Sequence, residues 1–304
     1  MVEPHGADAS AFRYDVCVVG SANLDLVATT DRLPAPGETV MGYTYAEHAG
    51  GKGLNQAVAA ARAGARTSLC AAIGDDGAAQ QLLDVMHADS VDAHGVQRVS
   101  SVPTGRALIG VSASGENSII VVAGANAELV ADQVRSNASN ARVILAQLEV
   151  PLATVEAALA AGRAGGATTI LNPAPARRLS ASLIALCDVL IPNEHELAIL
   201  GGLDALFALG AAAVVVTLGS RGAELCTPDG ARTMVPAFVV EPVDTTAAGD
   251  AFCGAFAAAL AVGAELLAAL RFAAAAGALA TTRAGAVPSL AHLAEIEALL
   301  NRPV

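Results

Sequence analysis

Residues 142–171, RVILAQLEVPLATVEAALAAGRAGGATTIL, decide the fold of this 304-residue chain. The aliphatic run at 143–148 predicts a buried strand, the alanine-rich stretch near 152–164 predicts a helix, and residues 168–171 predict a second strand. A strand, a helix and a strand in this order form a βαβ unit, whose two strands lie parallel in one sheet. The unit therefore indicates an α/β fold.

The same alternation continues in both directions from this unit. Further strands are predicted at 15–20, 67–73, 188–191 and 213–218, a hairpin at 223–240, and helices near 54–63, 78–88, 180–186, 194–209, 249–262, 265–281 and 290–301. Because parallel sheets are covered by helices on both faces, we expect three layers around a mostly parallel central sheet.

Two segments, residues 21–50 and 98–122, do not fit this alternation. The first contains Pro34, Pro36 and several glycines among short alternating pieces, and the second holds two strands around a turn at 114–117. We expect these strands to form a small separate sheet that acts as a lid.

The chain otherwise has the pattern of one domain. Residues 14–304 contain no low-complexity linker, so we expect a single α/β domain after a flexible tail at residues 1–13. The tail lacks the basic start and apolar segment of a signal peptide. Single cysteines without CxxC spacing favour buried thiols in a reducing cytoplasm over disulfides, and they are Cys17, Cys70, Cys187, Cys226 and Cys253.

The charge excludes several classes of partner. With a net charge of −12, the protein repels nucleic acid and anionic membranes, and we expect neither as a partner. The uncharged run at 251–264 is too short to span a bilayer and is expected to be a buried helix. A site for an anionic ligand in so acidic a protein needs local positive potential from backbone amides, helix N-termini or bound cations.

The sharpest motif is DTTAAGD at residues 244–250, directly before the long apolar helix. Its small residues allow the backbone amides at 247–250 to approach an anion, and the helix points its positive end the same way. Asp250 either takes a proton from a hydroxyl group that attacks a phosphate or simply caps the helix. The glycine and the alanines, which a cap does not need, favour the anion site.

Two motifs near the N-terminus offer polar groups to a ligand. GGKGLNQ at 50–56 is a glycine-rich turn entering a helix, and it is not a Walker A loop because Lys52 is not followed by Ser or Thr. Lys52 and Asn55 are placed to hold sugar hydroxyls, although a solvated lysine on a turn is the simpler interpretation in isolation. Asn23 and Asp25 either share one face of an extended segment or form a turn.

Two more motifs follow strands farther along the chain. In PNEHE, residues 192–196, Asn193 and Glu196 either orient waters on a Mg²⁺ ion or form a capping pair at a helix start. TLGSRG at 217–222 is a glycine turn at the end of a strand, where open α/β sheets bind nucleotides. On its own the second motif indicates only a turn.

Taken together and in this order, the motifs resemble the ribokinase family, a group of PfkB-type carbohydrate kinases. The resemblance extends from about residue 14 to 302 and includes PAPGETV at 34–40, QLE at 147–149 and NPAPAR at 172–177. The patterns GGKGxNQA and DTxAAGD are specific to the family, and Glu149 favours its ribokinase members. The resemblance implies a ribokinase-like three-layer α/β sandwich with a mostly parallel central sheet and a small β-sheet lid.

The resemblance also implies a role for each matching residue. The sugar would be contacted by Asn23, Asp25, Gly51, Lys52, Gly53, Asn55, Glu149 and Asp250. ATP would be contacted by Asn193, Thr217, Leu218, Gly219, Ser220, Arg221, Gly222, Gly249 and Asp250. The catalytic base would be Asp250, the anion hole would be formed by Ala247, Ala248 and Gly249, and Mg²⁺ would be held through water by Glu196. An activating K⁺ ion would be surrounded by Asp244, Thr246, Ala280, Arg283, Gly285 and Ser289.

The implied activity is ATP-dependent phosphorylation of D-ribose at its 5-hydroxyl group, which yields ribose 5-phosphate and ADP, by a homodimer joined through its lid sheets. Kinases for 2-deoxyribose, another pentose or a nucleoside remain alternatives, as does a non-catalytic sugar-binding protein, which would need neither Asp250 nor the anion turn. A dinucleotide-dependent oxidoreductase is disfavoured because Gly20-Ser21-Ala22-Asn23 lacks the GxGxxG pattern.

Two stretches depart from the family pattern. Residues 200–213 form a shorter segment than the family has, and the alanine-rich stretch 271–277 lacks the His or Asn that the family often places near adenine. The sequence therefore leaves the selectivity for the nucleotide base open.

Overall fold

The computed structural model describes residues 12–302, which form thirteen strands and ten helices. The strands are β1 (Tyr14–Val19), β2 (Asn23–Thr30), β3 (Gly42–Gly50), β4 (Thr67–Ile73), β5 (Val96–Arg98), β6 (Gly105–Ser112), β7 (Asn117–Val122), β8 (Ala141–Ala146), β9 (Thr168–Leu171), β10 (Val189–Leu190), β11 (Val214–Thr217), β12 (Ala223–Cys226) and β13 (Arg232–Val235). The helices are α1 (Lys52–Arg62), α2 (Gly77–Ala88), α3 (Ala131–Ala138), α4 (Leu152–Ala164), α5 (Ala181–Ala185), α6 (Glu194–Ile199), α7 (Gly202–Ala208), α8 (Ala248–Ala261), α9 (Leu266–Ala280) and α10 (Leu293–Leu300). The predicted tail, residues 1–13, lies almost entirely outside the described residues.

The central sheet has the strand order β13-β12-β11-β10-β9-β8-β1-β4-β5. Strands β5 to β11 along this order are parallel, and β12 and β13 form an antiparallel hairpin at one edge. The mostly parallel sheet expected from the βαβ pattern is therefore confirmed. Its parallel strands end at one edge, which is the edge where open α/β sheets bind ligands.

The sheet is buried on both faces because successive residues of its strands enter two different cores. Val16 and Val18 of β1 contact the core that contains α1, α8 and α9, whereas Cys17 and Val19 contact the core that contains α3 and α4. Every residue of β4 is buried, as expected for a central parallel strand. The three-layer architecture is therefore confirmed.

The structure differs from the predicted elements in three places. The single helix predicted near 194–209 is two helices, α6 and α7, because Gly201 between them has a left-handed φ of 97° that interrupts the α-helical backbone. Two elements were not predicted, since β5 has only three residues and α3 is mostly polar. Neither has the periodic apolar pattern from which elements are recognised.

The lid is a separate four-stranded sheet with the order β3-β2-β6-β7. Strand β2 pairs with β3 antiparallel and with β6 parallel, and β7 closes the sheet antiparallel to β6. Because β2 begins at Asn23, only four residues after β1 ends, the lid starts at the ligand-binding edge of the central sheet. The small separate sheet predicted from residues 21–50 and 98–122 is therefore confirmed.

The apolar run after Asp250 is a core helix, as predicted. Eleven of the fourteen residues of α8 are buried. In the part of the chain from residue 12 to 302, the structure contains no helix with the length and hydropathy of a membrane span. All five cysteines are buried free thiols.

Candidate active site

The site is built where α1 and α8 cross, and Gly254 makes the crossing close. A Cβ atom at residue 254 would lie 2.5 Å from the carbonyl oxygen of Gln56 and 2.6 Å from the Cβ atom of Ala59. Only glycine therefore permits this approach of the two backbones. The close crossing places the polar N-terminal turn of α1 directly against Asp250, one turn before Gly254.

Asp250 is not a helix cap. The residue before the first turn of α8 is Ala247, and the carboxylate of Asp250 makes no hydrogen bond to its own helix. Instead, Asn55 donates from Nδ2 to Oδ2 of Asp250 at 3.0 Å, and Gln56 donates from Nε2 to Oδ1 at 2.9 Å. Both oxygens are thus held by amide groups of α1, and each retains a lone pair for a further donor.

The turn before α8 presents free amide groups. Ala247 has a φ of 58°, a left-handed conformation that costs a non-glycine residue of the order of 1 kcal/mol and is typical of functional sites. Among residues 12–302, the N–H groups of Ala247, Gly249 and Asp250 have no acceptor, and that of Ala248 makes only a 3.3 Å bond to Thr245. These amides lie at the N-terminus of a 14-residue helix, which is a favourable position for a phosphate group.

Glu149 lies at the N-terminus of α1, where Gly51 cannot provide a capping side chain. Its Oε2 accepts hydrogen bonds from the hydroxyl group of Ser21 and, at 3.1 Å, from the backbone N–H of Lys52. Glu149 thus replaces the missing cap of α1. The other carboxylate oxygen, Oε1, has no partner in the described part of the chain and remains available to a ligand.

The remaining residues predicted to contact the sugar surround this pair of helices. Asn23 is buried at the start of β2, and Gly51 has a φ of 88° and passes close to it. Asn55 leaves its Oδ1 atom buried and without a partner. Gly53 has a packing role, since a Cβ atom there would lie 2.5–2.6 Å from the backbone of Gly20 and Ser21.

Lys52 lies among several carboxylates in this region, and its charge interacts with those of Asp250, Glu149 and Glu196. Burial, together with the nearby charges of Glu149 and Asp250, raises the pKa of Asp25 to about 7. The same acidic surroundings, with Asp250 the largest influence, raise the pKa of Lys52, and burial raises the pKa of Glu196. Lys52 therefore keeps its positive charge among these carboxylates.

The raised pKa of Asp25 makes the stability of the ligand-free protein depend on pH. Between pH 4 and 7 the folded protein retains a proton that the unfolded chain has lost, so the free energy of unfolding falls as pH rises through this window. Asp25→Asn removes the penalty of the buried charge. We expect its melting temperature to exceed that of the parent at pH 8, with the difference vanishing towards pH 4.

Thermal unfolding of the ligand-free protein measures this effect. The matched control is Asp132→Asn, whose carboxylate is 95% exposed, and its melting temperature should follow that of the parent at every pH. A gain for Asp25→Asn that is independent of pH would contradict the assigned cause.

Two contiguous cavities open from the anion turn, which is the turn at residues 247–250 at the start of α8. The smaller, about 140 Å³, is lined by Lys52, Asn172, Ala174, Ile191, Asn193, Glu196, Thr217, Ala247, Gly249, Asp250 and Cys253. The larger, about 510 Å³, is lined by Thr217, Gly219, Ser220, Gly222, Thr245, Ala248, Gly249, Phe252, Ala274, Gly277, Ala278, Thr281, Pro242 and residues 237–240. Because Thr217 and Gly249 line both cavities, one extended ligand can occupy the two together.

The predicted nucleotide residues are divided by the sheet. Thr217, Gly219, Ser220 and Gly222 line the larger cavity, whereas Leu218 and Arg221 line a separate open groove beside α6 and α7. Arg221 forms an ion pair there with Glu194 at 2.5 Å, and both side chains are mostly exposed. The structure does not bring Leu218 or Arg221 into the cavity, and their contact with a nucleotide stays a prediction.

Asn193 and Glu196 form the capping box that was one of the two alternatives for this motif. Asn193 accepts from the N–H of Glu196, and Glu196 Oε2 accepts from the N–H of Asn193, both at 2.8 Å. Both residues nevertheless line the smaller cavity. Glu196 Oε1 has no partner among residues 12–302, so the cap leaves one oxygen free for a metal-bound water.

The residues predicted to surround a monovalent cation lie next to the anion turn. Asp244 accepts from the N–H and hydroxyl groups of Thr246 and, at 2.8 Å, from the N–H of Gly285. Ala280 and Ser289 are buried, and the guanidinium group of Arg283 pairs with Glu295. Asp244 thus joins the loop before α8 to the loop after α9.

The motifs did not assign several residues that the structure places in the site. Ser21 holds Glu149, and Gln56, inside a quoted motif, holds Asp250. Asn172 accepts from Gln56 at 3.1 Å and lines the smaller cavity. The loop at 237–240 has no motif at all. Of these residues, only Gln56 and Asn172 could have been predicted from the sequence, because they lie within quoted motifs.

Comparison with known proteins identifies relatives of the whole chain. The model of the pfkB family carbohydrate kinase matches residues 13–293. The ribokinase of Bacillus subtilis is 39% identical over 293 residues, which are 94% of this chain and 99% of the relative. The deoxyribokinase of Salmonella typhi is 38% identical over 259 residues, 80% of this chain and 84% of the relative.

Among solved structures, the ribokinase of Arabidopsis thaliana complexed with ribose and ATP is similar to this fold. It superposes with a TM-score of 0.89 at 33% identity, covering 95% of this chain and 99% of that one. The likeness extends over both the central sheet and the lid, because nearly the whole of each chain is included.

Proposed function

The chain belongs to the pfkB family of carbohydrate kinases, and on that premise we propose that it transfers the γ-phosphoryl group of ATP to the 5-hydroxyl group of D-ribose. The products are ribose 5-phosphate and ADP. The observation that carries the proposal is the arrangement of Asp250, whose two oxygens are held by Asn55 and Gln56 beside the free amides of Gly249 and Asp250 itself.

This arrangement supports acid–base chemistry at a phosphate. A sugar hydroxyl group that donates a hydrogen bond to Asp250 loses its proton to the carboxylate as its oxygen attacks phosphorus. The free N–H groups of the anion turn stabilise the charge that develops on the transferred phosphoryl group. Lys52 lines the same cavity and adds positive charge beside the base.

The sugar half of the site supports a polyhydroxylated substrate. Asn55 Oδ1 and Glu149 Oε1 are acceptors without partners in residues 12–302, and Asp25 adds a third acceptor group. Each can receive a hydrogen bond from a sugar hydroxyl. A site of this kind disfavours analogues that lack a hydroxyl, because a buried acceptor then stays unpaired. Ribose is therefore preferred over 2-deoxyribose, which the similarity to a deoxyribokinase keeps as the second candidate.

Mg²⁺ is the cation that we propose to accompany ATP. Glu196 Oε1 and Asn193 offer oxygen atoms at the smaller cavity, which suits an ion that keeps most of its water ligands. When bound with the phosphates, Mg²⁺ would neutralise part of their negative charge.

The larger cavity suits the nucleoside of ATP. Its walls are mainly aliphatic and include Val239, Val240 and the ring of Phe252. Ala274, Gly277 and Ala278 are the α9 residues that line this space. The relative from A. thaliana was solved with ribose and ATP, which supports ATP as the donor here.

A panel of sugars, with ADP release as the readout, tests the proposed function. We expect kcat/KM to be highest for D-ribose and about tenfold or more lower for 2-deoxyribose. Nucleosides and hexoses should be poorer still. If kcat/KM were higher for 2-deoxyribose than for ribose, 2-deoxyribose would be the substrate instead. Sugar binding without ADP release would indicate a non-catalytic binding protein.

We also propose an activating K⁺ ion at the loops joined by Asp244. The family implies further ligands at Thr246, Ala280, Arg283, Gly285 and Ser289, several of them backbone carbonyl oxygens. An ion there would supply the positive potential that the net charge of −12 makes necessary, and it would order the adjacent anion turn. We therefore expect turnover to rise markedly when K⁺ replaces Na⁺ at constant ionic strength.

Steady-state rates in K⁺, Na⁺ and a large organic cation measure this activation. Asp244→Asn weakens the site, so it should lower the response to K⁺ more than the rate without K⁺. Equal parent rates in all three salts would contradict the cation site.

The assembly that we propose is a homodimer joined through the lid sheets. The lid exposes a set of large apolar side chains, which are Met41, Tyr43, Tyr45, Leu108, Ile119, Ile120, Val121 and Val122. A four-stranded sheet with such a surface and two open edges is poorly stable alone in water. Pairing with the same sheet of a second copy buries this surface by the commonest symmetry of oligomers.

Light scattering at assay concentrations should give the mass of two chains. Ile120→Lys places a charge on the proposed contact and should shift the mass towards one chain. Val262→Lys, at an apolar residue that is 78% exposed but outside the lid, is the matched control and should leave the mass unchanged. A fully active parent with the mass of a single chain would rule out the dimer.

We place the reaction in the cytoplasm. Five free cysteines without disulfides support a reducing compartment. The strongly negative charge supports the expectation that neither nucleic acid nor a membrane surface is a partner.

A further inference from the structure

We propose that Asn126 is a positioning residue that sets which atom of the Asn23 amide faces the sugar. The inference deepens the proposed function, because it concerns how the same site binds ribose. Asn126 belongs to the short 3-10 turn Gly124–Glu128 directly after the lid strand β7, and it is 1% exposed. No motif in the sequence singled it out.

The orientation of the Asn126 amide follows from the backbone. The N–H of Ala22, which can only donate, bonds to Asn126 Oδ1 at 2.9 Å. The Nδ2 atom must therefore point the other way, and there it finds only acceptors: the carbonyl groups of Ala22 and Ala123 and the side chain of Asn23. A reversed amide would place two donors against each other, so one orientation is enforced.

The orientation of Asn23 follows in turn. Asn126 Nδ2 donates to Asn23 Oδ1 at 2.7 Å, so the oxygen of Asn23 is occupied and its Nδ2 is the atom left for a ligand. Within residues 12–302 this Nδ2 has no acceptor. Asn23 lies two residues before Asp25 on β2, so both side chains are on the same face of the strand.

The result is a site with a defined polarity. Asn23 presents a donor, whereas Asn55, whose Nδ2 is committed to Asp250, presents an acceptor. A sugar hydroxyl can both donate and accept, but each hydroxyl has only one proton. Asn126 therefore determines that the hydroxyl at Asn23 accepts from the protein and keeps its own proton for an acceptor elsewhere in the site.

Asn126 also joins the lid to the core at this point. It bonds to the segment that enters β2 and to Ala123, which follows the end of β7. Strand β6 begins at Gly105, where a Cβ atom would lie 2.2 Å from Asn126 Nδ2 and 2.3 Å from Asn23 Oδ1. Three of the four lid strands thus meet at the bond between the two amides.

Asn126→Asp tests the inference with an isosteric change. The carboxylate still accepts from the N–H of Ala22 but cannot donate to Asn23. The Asn23 amide must then rotate to donate to residue 126, which leaves its oxygen towards the sugar. We expect KM and Kd for ribose to rise about 10- to 100-fold, while kcat at saturating ribose and KM for ATP stay within about threefold of the parent.

The matched control is Asn137→Asp, which adds the same charge at an amide that donates to Cys70 Sγ in the α3 region and should leave ribose KM unchanged. In an Asn23→Ala background, Asn126→Asp should have almost no further effect on ribose binding, because Asn126 acts through Asn23. An unchanged ribose KM in Asn126→Asp, an equal rise in KM for ATP, or additive effects in the double variant would overturn the proposal.

If Asn126→Asp does not fold, Gly105→Ala is the substitute test. Its added Cβ atom pushes the amides of Asn23 and Asn126 apart from the lid side, so it should give the same selective rise in ribose KM. A rise in KM for ATP as large as that for ribose would overturn the proposal here too. All comparisons use the sugar that the parent phosphorylates best, with calorimetric ribose binding measured in parallel. If the sugar is wrongly assigned, the kinetics of the parent protein show it. If the role of Asn126 is wrong, only the KM and Kd values of the variants show it.

Discussion

Asp250→Asn should lower turnover by about 10²–10⁴-fold, because an asparagine amide cannot take the proton of the attacking hydroxyl group. The fold should be retained, and the hydrogen bonds show why. Gln56 cannot reverse its amide, since its Oε1 already accepts from Gln147 and its Nε2 also donates to Asn172. Asn55 can reverse, because its Oδ1 is free to accept from the new amide.

The variant should therefore bind ribose, with an affinity within about tenfold of the parent, since only the contact to Asn55 changes its polarity. Single-turnover rates and calorimetric ribose binding separate the two effects. The matched control is Asp204→Asn, which changes an aspartate in the groove outside both cavities and should leave turnover intact. Near-normal turnover in purified Asp250→Asn would remove Asp250 from the role of base.

Gly254→Ala should have the largest effect on stability. The added Cβ atom meets backbone atoms of α1, namely the oxygen of Gln56 at 2.5 Å and the nitrogen of Ala60 at 2.8 Å, which cannot rotate away. The two helices must separate, and overpacking of this kind costs about 1–3 kcal/mol of the free energy of unfolding. Separation also lengthens the hydrogen bonds from Asn55 and Gln56 to Asp250, so turnover should fall as well.

Urea denaturation and steady-state kinetics measure both consequences. Gly77→Ala is the matched control, because a Cβ atom at the first residue of α2 meets nothing within 4 Å and the φ angle is not in the left-handed region. Its free energy of unfolding should equal or slightly exceed that of the parent. If Gly254→Ala were as stable and active as Gly77→Ala, the close crossing would not be what holds the site together.

The βαβ rhythm from residue 142 onward was sufficient to predict the parallel sheet, because buried strands and covering helices each leave a periodic apolar pattern. The lid was also predictable, since its strands interrupt that rhythm. The break between α6 and α7 was visible only as two glycines, whose φ angles the structure supplied. Elements without an apolar pattern, such as α3, could not be recognised.

For the site, the sequence determined which residue types are present and in which motifs, and the resemblance supplied their roles. Only the tertiary structure excluded the capping alternative for Asp250, because its oxygens are held instead by Asn55 and Gln56, nearly 200 positions away.

The same limit applies to Ser21, Asn126 and Asn172. Ser21 and Asn126 lie outside the motifs that carry the resemblance, Asn172 lies inside one, and each acquires its role from a hydrogen bond to a residue far along the chain. Local sequence determines periodicity, turns and glycine positions, whereas the direction of a buried amide is set by partners that meet only when the chain has folded.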